Sequence, residues 1–214
     1  MNSFIKAVLQ TPERKAIAVL ALLYTVGVAG VLLPIHPEFM RLTPLNLLVS
    51  TGILLWFQPG QGRRLYLFVV LCYLSGFLAE LYGIQTGRLF GHYAYGEVLG
   101  PKLWGTPLMI GINWVLVTLS AAAFVHLLAP GTPAGLQALL SALAMVMLDV
   151  LIEPDAMQYG MWSWENNQVP LKNYFGWFAV SLPLQTLFAL WVRNSKNIVA
   201  AALFMLQVLF FLFI

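Results

Sequence analysis

Four acidic residues lie in, or at the ends of, segments of the chain that are otherwise strongly apolar: Glu80, Asp149, Glu153 and Asp155. An ionisable side chain inside a bilayer is costly, so its presence there favours a functional role over a structural one. Asp149 and Glu153 are spaced so that both fall on one face of a helix. A carboxyl group in an apolar pocket favours its neutral form and can donate a proton, while an ionised neighbour can accept one from water. The pattern predicts acid–base chemistry by paired carboxyl groups.

The composition predicts that lipid surrounds most of the chain. Of the 214 residues, 60% are hydrophobic and 9% are charged, whereas a soluble domain carries about 25% charged residues. The net charge of +3 reflects a scarcity of acids. The basic residues form no cluster longer than Arg63 and Arg64, which argues against nucleic-acid binding. The single cysteine, Cys72, excludes an intramolecular disulfide and a cysteine-rich metal site.

Seven apolar segments approach the roughly 20 residues that a membrane-spanning helix needs. They cover residues 16–33, 44–57, 65–83, 107–128, 134–153, 174–192 and 198–214. The sequence therefore predicts an all-α, polytopic protein with about seven transmembrane helices, forming a single integral membrane domain over residues 1–214.

The distribution of Lys and Arg predicts the orientation. A cytoplasmic N-terminus places seven of them on the cytoplasmic side and four outside, as the positive-inside rule requires. The expected location is a cell or cytoplasmic membrane. In this orientation the two longest loops, 84–106 and 154–173, lie on the outer side, and loops of such length are usually functional or disordered.

Helix geometry predicts that the acids share one layer of the membrane. Glu80 and Asp149 each lie about 15 residues into their segments, which is about 22 Å from the cytoplasmic edge. The fourth segment runs inward, so Asn113 and Trp114 lie about 10 Å below the outer edge. We therefore expect these residues to meet in the outer half of the protein.

Other side chains near this layer are candidate ligands. Aromatic residues of the outer loops could line a pocket and face a transient cation through their rings. His36 and His92, together with the acids, leave open a metal-dependent hydrolase. The chain has no H-E-x-x-H motif and no histidine pair at helical spacing, so no metal ligand is predicted.

Several blocks of the sequence resemble the CruF-type carotenoid biosynthesis family. They are ELYGIQTGRLFGHYAY (80–95), LGPKLWGTP (99–107), DVLIEP (149–154), GMWSW (160–164) and PLKNYFGWF (170–178). They follow the order of the family's motifs and cover about residues 80 to 178. Where the family usually has Asp-Pro, this chain has Glu153 followed by Pro154, so the carboxylate is kept on a longer side chain.

The resemblance implies a membrane hydratase that adds water to the terminal 1,2 double bond of an acyclic carotenoid end group, with no redox cofactor. Substrates in the family include γ-carotene and the bisanhydro precursor of bacterioruberin. We expect Glu80, Asp149 and Glu153 to be the catalytic acid and base, without assigning them individually. The expected partners are the carotenoid, water, membrane lipids and other carotenoid biosynthesis enzymes. The residues expected to bind or orient the substrate are Asn113, Arg88, His92, Tyr93, Tyr95, Trp114, Asp155, Trp162, Trp164, Asn173 and Trp177.

Two further interpretations remain open at this stage. A carotenoid cyclase would use the same protonation but lose a proton instead of gaining water. A non-catalytic carotenoid-binding or transport protein would leave its pigment unchanged and tolerate carboxylate-to-amide substitutions.

Overall fold

Seven helices follow one another along the part of the chain that the structure describes, residues 11–33, 39–193 and 195–214 of a computed structural model. They are α1 (Pro12–Leu32), α2 (Thr43–Trp56), α3 (Arg63–Thr86), α4 (Met109–Leu128), α5 (Ala134–Gln158), α6 (Leu171–Leu187) and α7 (Ile198–Phe213). Helix α6 continues into a π-helical turn, Phe188–Val192. Short strands lie between the helices: β1 (Tyr93–Tyr95), β2 (Lys102–Leu103), β3 (Thr106–Pro107) and β4 (Trp162–Trp164).

Each predicted apolar segment coincides with one of these helices, so the expectation of an all-helical protein is confirmed. Five helices are long and apolar enough to cross a membrane: α1, α3, α4, α5 and α6 with its π-helical turn. Helices α2 and α7 are also apolar but shorter. Local sequence explains where helices begin, as at α1, where Thr11 accepts a hydrogen bond from the backbone N–H of Arg14 and proline occupies the first helical position.

Helix α4 is the centre of the bundle. About 72% of its most apolar stretch is buried, against 28% to 39% for the other four long helices. It packs against α2, α3, α5 and α7, and it is apolar on every face, as expected of a helix surrounded by other helices. Three consecutive buried alanines, Ala121 to Ala123, allow its neighbours to approach closely. The outer helices instead expose large apolar side chains such as Leu22 and Leu78.

A small extended cap joins the ends of α3 and α5. Strand β1 follows α3 and pairs antiparallel with β4, which follows α5, in the register Tyr93–Trp164 and Tyr95–Trp162. The backbone N–H of Gly96 donates to the carbonyl of Met161 and continues this pairing. At Gly96 a Cβ atom would meet the carbonyl oxygen of Gly160 at 2.0 Å, so only glycine fits where these two segments of the chain approach each other.

Most helix boundaries differ from their predictions by a few residues, and the difference at the end of α5 affects the acids. The sequence ends the fifth helix at Glu153, whereas α5 continues through Pro154 to Gln158. Proline lacks the N–H that would bond to the preceding turn, but a membrane helix tolerates this loss where neighbouring groups satisfy the backbone. The extra turn is held by the backbone of Met161, which donates to the carbonyl of Ala156. It places Asp155 within the helix and not in a loop.

The close contact between α3 and α4 predicts the effect of adding one methyl group. A Cβ atom at Gly76 would lie 2.2 Å from Cγ of Trp114, and such overpacking typically costs about 1–3 kcal/mol. We expect Gly76→Ala to lower the thermal unfolding midpoint of the purified protein in detergent. Gly52→Ala is the control, since a Cβ there meets nothing within 4 Å and should leave the midpoint unchanged or raise it. Equal midpoints for the two variants would contradict this packing.

Candidate active site

A cavity of about 290 Å³ lies between the seven helices and the β1–β4 cap. Three of the four acids singled out in the sequence, Glu80, Asp149 and Glu153, form part of its wall. All three are at least 97% buried. The walls that α1 and α2 contribute are largely apolar, so the cavity joins a carboxyl-rich wall to a hydrocarbon-lined space.

Glu80, on α3, accepts three hydrogen bonds from neutral donors. The indole Nε1 of Trp114 donates to Oε1 at 3.1 Å. The hydroxyl groups of Tyr93 and Tyr95 both donate to Oε2, the latter at 2.9 Å. Residues two apart in a strand point to the same side, so β1 aims both phenols at one carboxylate oxygen.

Glu153, on α5, has a matching set of three donors. The indole groups of Trp162 and Trp164 donate to Oε2 at 2.9 and 2.7 Å. The amide Nδ2 of Asn173 donates to Oε1 at 3.1 Å. Strand β4 has the same arrangement as β1: two aromatic donors lie two residues apart and point to the same side.

Asp149 differs from the two glutamates in its hydrogen bonding. It lies one turn before Glu153 on the same face of α5. The amide of Asn173 also donates to its Oδ2, at 2.7 Å, so one side chain connects both acids. In the part of the chain that the structure describes, no second donor reaches Asp149.

As far as the structure describes the cavity wall, the carboxyl groups have no cationic partner there. Its described lining residues include no Lys, Arg or His. The ion pair between Lys102 and Glu97, 2.6 Å apart, lies outside the cavity. Any negative charge on the acids is therefore held by neutral donors, which leaves it available to a positively charged species in the cavity.

Aromatic rings surround the acids. Trp114 and Trp177 stack with their ring centroids 4.3 Å apart. Tyr93 and Trp164 pack with centroids 4.8 Å apart. Tyr93, Trp164 and Trp177 line the cavity, so ring faces as well as carboxylates lie beside any group bound there.

The two tyrosines are held as neutral donors. Burial raises the pKa of the Tyr93 hydroxyl, and the negative charge of Glu80 raises it further. Burial and the same carboxylate also raise the pKa of Tyr95. Both phenols thus keep their protons and continue to donate to Glu80.

The structure does not bring every candidate residue to the cavity. Arg88 and His92, which follow the αL residue Gly87 at the end of α3, are exposed and do not line it. Asp155 is buried on α5 but also does not line the cavity. Trp114 does not line it either, but it stacks on Trp177 and donates a hydrogen bond to Glu80. Asn113, Tyr93, Tyr95, Trp162, Trp164, Asn173 and Trp177 all line it.

The described residues offer no cluster of ligands for the metal-dependent hydrolase considered above. His36 lies outside the described residues. Among those described, no group of three or more His, Cys, Asp or Glu side chains could hold a metal ion.

Sequence reasoning missed the side chains that α1, α2 and α7 contribute to the cavity. Tyr24, Asn46 and Gln207 are polar members of this set. Gln207 carried a usable signal, since it is the only polar residue in the apolar sequence of α7. The others could not be identified without knowing which faces of α1 and α2 turn inward.

Comparison with known proteins gives a family and one relative. The family model described as carotenoid biosynthesis protein matches residues 43–214, which include every acid of the cavity. Bisanhydrobacterioruberin hydratase of Haloarcula japonica is 38% identical over 125 residues, covering 56% of this chain. The match spans 43% of that protein, so this chain covers less than half of the relative. No solved structure matches the chain.

The raised pKa values of Tyr93 and Tyr95 predict a loss of stability at alkaline pH. In the unfolded chain tyrosines titrate near pH 10, whereas the folded protein keeps these two protonated to higher pH. The folded state then binds more protons, so the free energy of unfolding falls above about pH 10, by about 1.4 kcal/mol per pH unit for each residue. We expect replacement of both tyrosines by Phe to flatten this decline, measured by denaturant unfolding between pH 9 and 12. An unchanged slope would show that they titrate as in the unfolded chain.

Proposed function

Since the chain belongs to the carotenoid biosynthesis protein family, we propose that it is a hydratase that adds water to the terminal double bond of an acyclic carotenoid end group. The observation that carries this proposal is the set of three buried carboxyl groups on the wall of an apolar cavity, with no cationic partner among the described residues that line it. The partial match to a protein named as a hydratase supports hydration over other reactions of the family.

Asp149 is the proton donor in this proposal. Three donors on Glu80 and three on Glu153 favour the ionised form of each glutamate, whereas Asp149 receives one. A proton shared among the three acids therefore resides on Asp149. It passes to the CH carbon of the terminal double bond, whose π electrons form the new C–H bond and leave a tertiary carbocation.

The cation forms where the cavity is prepared for positive charge. Glu80 and Glu153 supply negative charge that neutral donors have fixed in position, so little reorganisation is needed as the cation develops. The ring faces of Trp164 and Trp177 offer cation–π stabilisation beside them.

Water then completes the reaction. The side-chain amide of Asn113 lines the cavity and could hold the attacking water. The water oxygen forms the C–O bond, and one of its protons passes to Glu80 or Glu153. The product is a tertiary alcohol, and a proton returns to Asp149 before the next turnover. No redox cofactor is needed, since protonation and water addition leave the carbon chain without net oxidation or reduction.

In this proposal the chain is an integral membrane protein. All seven helices cross the membrane, and the N-terminus lies on the cytoplasmic side. Helices α3 and α5 then end on the outer side, where the β1–β4 cap closes the acid cluster. Exposed apolar residues of α1 and α2, such as Val26 and Leu45, also line the cavity, so it opens toward lipid. A polyene dissolved in the bilayer can enter there while its end group meets water near the surface. Membrane lipids and other enzymes of carotenoid biosynthesis are the expected partners.

Removing the acid proton predicts loss of hydration. We expect Asp149→Asn to reduce product formation at least about 100-fold, because general acid catalysis contributes about that much or more. Glu80→Gln should act similarly by removing a charge that stabilises the cation. The control is Glu97→Gln, which changes an exposed carboxylate at the surface. Full activity in both active-site variants, at equal protein levels in the membrane, would refute these roles.

The product distinguishes the proposal from its alternatives. Membranes containing the chain, supplied with acyclic carotenoids with and without existing hydroxyl groups, should yield a product heavier by one water. An isomer of unchanged mass would identify a cyclase. Pigment that is bound but unaltered would identify a carotenoid-binding protein.

A further inference from the structure

Three basic side chains near the acid cluster have no role in the proposed reaction. Arg88 and His92 belong to the first of the sequence motifs, yet both are exposed and lie outside the cavity. Lys172, near the start of α6, is also exposed and outside the cavity. Within the part of the chain that the structure describes, none of the three forms an ion pair. Their charge is therefore not balanced by a described acid.

Gly87, the αL residue that ends α3, brings these three residues together. The Nζ atom of Lys172 donates to the carbonyl oxygen of Gly87 at 3.2 Å. The imidazole ring of His92 lies against the same glycine, where it would clash with a Cβ atom. Arg88 follows Gly87 directly, so their Cα atoms are about 3.8 Å apart. Basic side chains from two separate segments of the chain thus meet around one residue.

The surface around Gly87 carries an excess of positive charge. Backbone pairing brings one acid near it: the N–H of Glu165 donates to the carbonyl oxygen of His92 at 3.0 Å. The Glu165 side chain is exposed and forms no ion pair with a described residue. A single carboxylate does not balance both Arg88 and Lys172, so an anion bound here would complete the charge.

Large apolar side chains lie beside the basic residues and indicate what kind of anion this is. Leu171 and Phe175 are 75% and 73% exposed, and their spacing places them on one face of α6 with Lys172 next to Leu171. Exposed apolar residues next to cations are typical of a helix end that passes from acyl chains to headgroups. A phospholipid fits both features, since it offers acyl chains to the apolar residues and a phosphate to the cations.

We propose that Arg88, His92 and Lys172 bind the phosphate of an anionic phospholipid headgroup. The planar guanidinium of Arg88 can donate two parallel hydrogen bonds to phosphate oxygens. The ammonium of Lys172 has three donors, of which the carbonyl oxygen of Gly87 uses one. The imidazole of His92 donates an N–H in either ionic form. A zwitterionic headgroup also carries a phosphate, but its ammonium group would be repelled by the same cations.

The bound lipid would hold together two segments that carry the acid cluster. The turn that contains Arg88 and His92 leads directly into β1, whose first residue, Tyr93, donates to Glu80. Lys172 directly precedes Asn173, the amide that connects the other two acids. A phosphate held by both segments stabilises their contact from outside the cavity, so anionic lipid should stabilise the folded protein.

Lipid affinity and thermal stability test the inference without reference to catalysis. Binding of phosphatidylglycerol to the purified full chain is titrated by native mass spectrometry, and the thermal unfolding midpoint is measured in phosphatidylcholine nanodiscs with and without phosphatidylglycerol. We expect phosphatidylglycerol to raise the wild-type midpoint, and high salt to reduce this rise. Arg88→Gln and Lys172→Gln should each weaken phosphatidylglycerol binding about fivefold and diminish the rise. Lys172→Arg keeps the charge and should restore both.

Arg64→Gln is the matched control, because it removes the same charge from an exposed residue at the opposite end of α3. Its phosphatidylglycerol affinity and its rise in midpoint should equal those of the wild type. An unchanged wild-type midpoint, or a rise that persists in full in both Arg88→Gln and Lys172→Gln, would overturn the inference. An equal rise caused by inorganic phosphate in pure phosphatidylcholine would also overturn it, since the occupant would then be a free anion and not a lipid.

Discussion

The arrangement of the site depends on one electrostatic constraint: three carboxyl groups share an apolar cavity whose described lining offers no cation. Negative charge in such a place is tolerated only if hydrogen-bond donors replace the lost water. The surrounding structure supplies them as phenols, indoles and one amide, each of which donates without adding positive charge. A cationic partner would stabilise the ionised acids but would also neutralise the negative charge that the proposed carbocation requires.

A short strand pairing, a close backbone approach and one asparagine position these donors around the acids. The β1–β4 pairing sets two tyrosines and two tryptophans in register above the ends of α3 and α5. Gly96 lets the segment that follows β1 pass close to Gly160, at a separation that a larger residue would prevent. Asn173, at the start of α6, fixes Asp149 and Glu153 relative to each other. The acid cluster thus depends on residues from six elements, α3, α4, α5, α6, β1 and β4, that hydropathy alone would treat as separate helices and loops.

Sequence reasoning identified the helices and the acids for clear physical reasons. Hydrophobic length predicts helices well, and the estimate of helix depth led us to expect that Glu80 and Asp149 meet; in the structure both line the same cavity. The same reasoning could not show which loop residues face inward. Arg88 and His92 lie in the same motif as Tyr93, yet their side chains are exposed whereas that of Tyr93 lines the cavity. Neither the pairing of β1 with β4 nor the inward faces of α1 and α2 has a signal in the sequence, because both are set by tertiary packing.

The central claim is that the protein transfers a proton to carbon and then adds water to the resulting cation. Turnover in water labelled with both deuterium and oxygen-18 tests this most directly. The account predicts one oxygen-18 atom in the new hydroxyl group and one deuterium on the adjacent carbon for each end group hydrated. A product that carries neither label, or deuterium in a ring without new oxygen, would contradict it.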